Sequence, residues 1–189
     1  MIATLFYKKF ISFLKLILYN EINNKWNLQR KRGKMEYITL EFDYIGMENG
    51  GKIPIENTGR GQDISPEFVI KNLSPKAKTL AITLEDLTHP IKNFTHWIIW
   101  NIPAIDRIKK GIEAGKSVST LGNAKQGIGY GLHRYAGPKP PKGKKHIYRF
   151  TIYSLDCEID LSANARKKDF LKKAKNHILQ TGSIMGEFE

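Results

Sequence analysis

Between residues 37 and 161 the apolar positions fall into short runs rich in β-branched and aromatic residues, separated by glycine, proline and asparagine. This pattern predicts strands in an antiparallel arrangement, not helices alternating with strands. Strands are expected at 37–42, 68–70, 79–84, 95–102 and 148–155, and the last two are apolar and long enough to lie inside a sheet. Asn49-Gly50-Gly51 marks a chain reversal. From 103 to 145 the chain is rich in Gly, Pro and Lys with little periodicity, and so long a loop inside a domain is functional or mobile. After Leu161 the spacing changes to that of an amphipathic helix. Ser162 reads as its N-cap, Ala165, Phe170, Leu171, Ala174, Ile178 and Leu179 form the apolar stripe, and the basic residues between them read as a solvated face. A short strand closes the chain.

Length and composition change this picture little: 189 residues, 41% hydrophobic and 26% charged, describe one ordinary domain with a tail. Charge adds more. Of the formal net charge of +13, residues 1–34 contribute +7, from eight basic residues and Glu21, and the remainder supplies +6. Lys8, Lys9 and Lys15 interrupt the apolar residues of this leader, which excludes a membrane-spanning helix, and no small-residue cleavage site follows. The leader is expected to be either disordered or a basic helix touching an anionic membrane surface, with the domain beginning at Met35. One cysteine, Cys157, excludes a disulfide framework, and with no signal peptide the chain is expected in the cytoplasm.

Phosphate-loop, dinucleotide, nucleophile-elbow and zinc-protease motifs are missing, so no catalytic residue and no cofactor is expected. His89, His96, His133, His146 and His177 show no local metal-ligand spacing, and Cys157 reads as a strand residue without a neighbouring ligand; no metal site is expected. Taken singly, His96 is an ordinary core histidine, Asp86 a turn acid and Pro138-Lys139-Pro140-Pro141 a rigid loop.

Their order gives them a different meaning. Glu85-Asp86-Leu87-Thr88-His89-Pro90 precedes Thr95-His96-Trp97-Ile98-Ile99-Trp100-Asn101-Ile102-Pro103-Ala104, and Gly137-Pro138-Lys139-Pro140-Pro141 later leads into His146-Ile147-Tyr148. With Asp63-Ile64-Ser65-Pro66 and Leu73-Ser74-Pro75, these segments resemble the phosphatidylethanolamine-binding protein family, or Raf kinase inhibitor-like proteins, in its bacterial and archaeal branch. The resemblance covers residues 37–188. It implies a mainly β fold, with antiparallel sheets in a Greek-key-like sandwich and a C-terminal helix. Two departures stand out: the family's Asp-Pro-Asp is Asp86-Leu87-Thr88 here, and its His-Arg-Tyr is His146-Ile147-Tyr148. His133-Arg134-Tyr135 matches the letters but precedes the proline-rich loop, so His146 is the better assignment.

The resemblance implies a non-enzymatic module with a small pocket for an anionic group, lined by Asp86, Thr88, Pro90, His96, Gly137, Pro138, His146 and Tyr148. Two imidazoles can donate to phosphate oxygens, and Asp86 can fix their tautomers. Trp97 and Trp100, three apart on a strand, face opposite ways, so at most one can serve as wall or rim beside Tyr148. The expected partner is a phosphate-bearing small molecule, a lipid headgroup or a phosphorylated protein, as for a kinase or protease inhibitor-like regulator, and a homodimer stays open. Two alternatives are a hydrolase using His96, His146 and Asp86, for which no serine sits in an activating turn, and a nucleic-acid binder, for which interleaved aromatics are lacking.

Overall fold

The computed structural model describes residues 39–189; the leader expected at 1–34 lies outside the described residues. Nine strands and one helix of eight residues follow in the order β1 Phe42–Tyr44, β2 Phe68–Ile70, β3 Thr79–Asp86, β4 Phe94–Pro103, β5 Arg107–Ile108, β6 Ser117–Val118, β7 Ala124–Gln126, β8 His146–Leu155, α1 Lys167–Ala174 and β9 Ile178–Phe188. They form a three-stranded sheet, β1-β2-β5, and a six-stranded sheet, β6-β7-β4-β3-β8-β9. Every ladder is antiparallel. The expected mainly β fold with antiparallel sheets is the one observed, and β8 returns past β7 and β4 to pair with β3, the long connection of a Greek key.

Alternation along the central strands divides the large sheet between two cores. Leu80, Ile82 and Leu84 of β3 and Tyr148, Phe150 and Ile152 of β8 bury one face together with Phe68 and Ile70 of β2. Tyr44, Phe68 and Phe150 meet there with ring centroids 5.2–5.7 Å apart. Ala81, Trp100, Tyr153 and Leu155 bury the other face under α1, whose Phe170 and Ala174, one turn apart, point inward. Burying Phe170 in this layer contributes about 1.5–3 kcal/mol.

Several expected bounds shift. Residues 39–41 are not strand, because the Thr39 carbonyl and the Glu41 amide bond the side chain of Asn72 instead of a ladder. The region 103–145 contains β5, β6 and β7, each too short to show alternation in the sequence. The helix begins at Lys167, not near Ser162: Asp169 accepts from the Arg166 amide as the first turn forms, and Ser162 closes a separate turn with Asn164 and Ala165. It ends at Ala174, and Ile178 and Leu179 belong to β9, which is eleven residues long and pairs with β8 along its length. The helical face is not wholly solvated either, since Lys167 reaches the buried Glu85. Cys157 lies beyond the end of β8, outside any strand. Among the described residues no helix is long and apolar enough to cross a membrane.

Candidate functional site

β3 and β4 place the first two polar groups at one end of the large sheet. Asp86 ends β3, is 3% exposed and accepts from the amides of Thr88 (2.8 Å) and His89 (2.9 Å) through Oδ1. That turn frees Oδ2, which accepts from Nδ1 of His146 at 2.7 Å, on the first residue of β8. His96 arrives by a different device. Leu84 stands opposite Trp97 while Glu85 stands opposite Thr95, so His96 is an extra residue on β4, a β-bulge. The bulge brings His96 to the face that Trp97 also uses, where its ring meets Tyr148 edge-on at 5.5 Å. His146 stacks against the same tyrosine at 6.3 Å.

Both imidazoles therefore flank Tyr148 beside a buried carboxylate, and both spend Nδ1 on the protein. His96 donates from Nδ1 to the Ala136 carbonyl (3.0 Å), and His146 donates to Asp86. Neither Nε2 has a protein partner among the described residues. Among the described residues the buried side-chain polar atoms without a partner are Thr83 Oγ1, Trp100 Nε1 and Arg149 Nε, so the two Nε2 atoms reach solvent. Burial holds the His96 pKa below the ordinary imidazole value, against the opposing pull of the Ala136 carbonyl and Asp86. Tyr148 keeps its proton, because burial first and the Asp86 charge second push the phenol upward.

The proline-rich loop is set by a distant segment. Asp63 Oδ1 accepts from the Gly137 amide at 2.6 Å, the Gly59 amide donates to the Pro138 carbonyl at 2.9 Å, and Arg60 donates to the Pro140 carbonyl. Asp63 also accepts from Arg134 at 3.0 Å. Gly137 leaves no space for a side chain: a Cβ there would lie 2.2 Å from the Asn57 carbonyl oxygen. Gly137→Ala is accordingly expected to destabilise the domain by about 1–3 kcal/mol and to displace the Ala136 carbonyl from His96, seen as a changed His96 ring resonance by NMR.

Some expected roles change. Of the two imidazoles, Asp86 bonds His146, and the Ala136 carbonyl orients His96. Thr88 spends its hydroxyl on the Ile147 amide at 2.9 Å, tying the turn to β8, and Pro90 is an exposed turn residue. Trp97 and Trp100 do face opposite ways, yet neither serves as wall or rim: Trp97 is buried with its Nε1 on Gln126 (2.7 Å), and Trp100 packs under α1. Phe94 and Tyr130 take that place instead, with ring centroids 5.4 Å from His96, and Phe94 stacks on His89 at 3.9 Å. No spacing signal marked Tyr130 or Arg60. His133 points elsewhere, its Nδ1 on the Gln126 carbonyl at 2.9 Å. A groove of about 540 Å³ runs between the start of β4, Tyr130 and the Arg166–Lys168 end of α1; it shares Phe94 and Tyr130 with the site, but Asp86, His96 and His146 do not line it.

A two-sheet antiparallel β fold that carries a carboxylate and two imidazoles at a sheet end, beside a proline-rich loop, defines a structural class of small β domain. The chain belongs to the phosphatidylethanolamine-binding protein family, whose model matches residues 45–189. It is 37% identical over 159 residues to a UPF0098 protein of Pyrococcus horikoshii, covering 83% of this chain and 80% of that one. Among solved structures it is similar to a phosphatidylethanolamine-binding protein homolog from Chlamydia trachomatis, with a TM-score of 0.70, 26% identity, and coverage of 80% of this chain and 97% of the other. E. coli YbcL, described as a new member of the mammalian PEBP family, has the same fold at a TM-score of 0.70 and 23% identity, with 80% and 99% covered.

Proposed function

We propose that the site binds a phosphate group, free or carried by a lipid headgroup or a phosphorylated residue, and that the chain acts as a non-enzymatic anion-binding module. The observation that carries this reading is the pair of solvent-facing Nε2 atoms on rings already fixed through Nδ1. Protonated, each presents one N–H outward, and unprotonated each accepts from a protonated phosphate oxygen. Asp86 is shielded from an incoming anion by its three donors. Arg60, near Tyr148, and the exposed Lys139, Lys142 and Lys144 attract anions by their long-range field.

The reading predicts a pH dependence. In the free protein burial keeps His96 neutral below the pH at which an ordinary imidazole would charge. A bound phosphate favours the cation, so the His96 titration midpoint is expected to rise on adding phosphate, and affinity to increase as pH falls from the bound-state midpoint toward the depressed midpoint of the free protein. The sign for stability is opposite. Because the unfolded chain binds that proton more tightly, the phosphate-free fold loses stability as pH falls from about 6.5 to the depressed folded value. NMR titration of the imidazoles with inorganic phosphate, phosphoethanolamine and a phosphoserine peptide tests the reading and separates the sources. Midpoints that ignore all three, or phosphate affinity unchanged in His146→Ala, would rule it out.

A further inference from the structure

At the other end of β8, about 33 Å from His146 by strand rise, a second cluster forms. Asp156 and Cys157 follow the last residue of β8, and His177 precedes the first residue of β9. One ligand atom from each of the three lies within 4.8 Å of the others. The backbone holds them there: the Asp156 amide donates to the His177 carbonyl at 3.0 Å, the Thr79 hydroxyl to the Cys157 carbonyl at 2.6 Å, and the Ile159 amide to Asn101 at 2.8 Å. The side chains of Asp156 and His177 remain half-exposed.

The charge around the cluster is unusual for this chain. Asp156, Glu158 and Asp160 stand together in a protein of net charge +13, yet among the described residues no Lys or Arg nitrogen lies within ion-pair distance of their carboxylates. Asp156 pairs with His177 at 2.9 Å. Lys78, close enough to affect Cys157, opposes a positive ligand.

We infer that Asp156, Cys157 and His177 form a binding site for a borderline divalent cation of the Zn²⁺ class, with the fourth position open to solvent. Sulfur and imidazole donors select Zn²⁺ over Mg²⁺ or Ca²⁺, which prefer oxygen. Tetrahedral Zn²⁺ with bonds of about 2.0–2.3 Å sets its ligand atoms roughly 3.5 Å apart, so the Asp156–His177 pair, at 2.9 Å, opens slightly, and the separations to Cys157, at most 4.8 Å, close by no more than about 1.3 Å. The imidazole donates the lone pair of the nitrogen that does not carry its proton. As the Zn–S bond forms, the thiol proton leaves to solvent, so affinity rises with pH. The bound ion ties the end of β8 to the turn between α1 and β9, fastening the helix over its core.

The test is calorimetric titration of the full chain, kept reduced, with ZnCl₂, together with the electronic spectrum of the Co²⁺ form. One ion per chain, a thiolate-to-cobalt charge-transfer band, and at least a tenfold loss of affinity in each of Cys157→Ser, His177→Ala and Asp156→Asn are expected. In the unaltered chain Zn²⁺ should slow alkylation of Cys157 by iodoacetamide, and Mg²⁺ should not, a readout independent of how the variants fold. Absence of the band, alkylation indifferent to Zn²⁺, or affinity that survives Cys157→Ser and disappears in His146→Ala would overturn the assignment.

Discussion

Glu85→Ala is expected to destabilise the domain by about 3–5 kcal/mol, because it strips the shared anion from two largely desolvated cations. Glu85 is 1% exposed; it accepts from Arg149 at 2.8 Å and pairs with Lys167, the first residue of α1. Arg149 stands directly opposite on β8, so the triad joins two strands and the helix. Loss of the carboxylate leaves Lys167, 13% exposed at its side chain, without a counter-ion. Urea unfolding of the variant measures the effect. A loss below about 1 kcal/mol, the range of surface ion pairs, would show that the triad is hydrated and contributes little.

Asp86→Asn is expected to weaken phosphate binding at least tenfold, about 1.4 kcal/mol, while removing about 1.5–3 kcal/mol of stability with the charged hydrogen bond. The amide keeps an oxygen for the Thr88 and His89 amides, so the turn survives. Its nitrogen, however, presents hydrogens to the Nδ1–H of His146, and the ring must turn or adopt the other tautomer. The ¹⁵N shifts of His146 report that change directly, and calorimetry with inorganic phosphate reports the affinity. If the variant shows the new tautomer and still binds phosphate as the parent does, the imidazole pair is not the anion site.

Much of the fold was legible because its signals are local. Residues 68–70, 79–84, 95–102 and 148–155 carry the β-branched and aromatic composition of half-buried or buried strands, and each lies within an observed strand. The helix was legible through Phe170 and Ala174, but its end was not. Ile178 and Leu179 continue the apolar spacing of the stripe, and pairing with β8 wins because it satisfies backbone groups along eleven residues. Of the two candidate histidines, His146, after the proline-rich loop, reaches Asp86, and His133, before it, bonds the Gln126 carbonyl.

The sequence by itself determined the strand composition, the order of the motifs and the residue types at the site, since these depend on spacing along one stretch of chain. Only the tertiary structure decided which way His96 points, because a bulge is defined by the register of the partner strand, and strict alternation along β4 would have set His96 on the face opposite Trp97. The same holds for Asp63 on the Gly137 amide and for His177 beside Asp156 and Cys157, contacts that join residues 74 and about 20 positions apart. Periodicity carries no information about such pairs. They form where sheet order and loop closure bring the segments together, and the chemistry proposed at both ends of β8 depends on them.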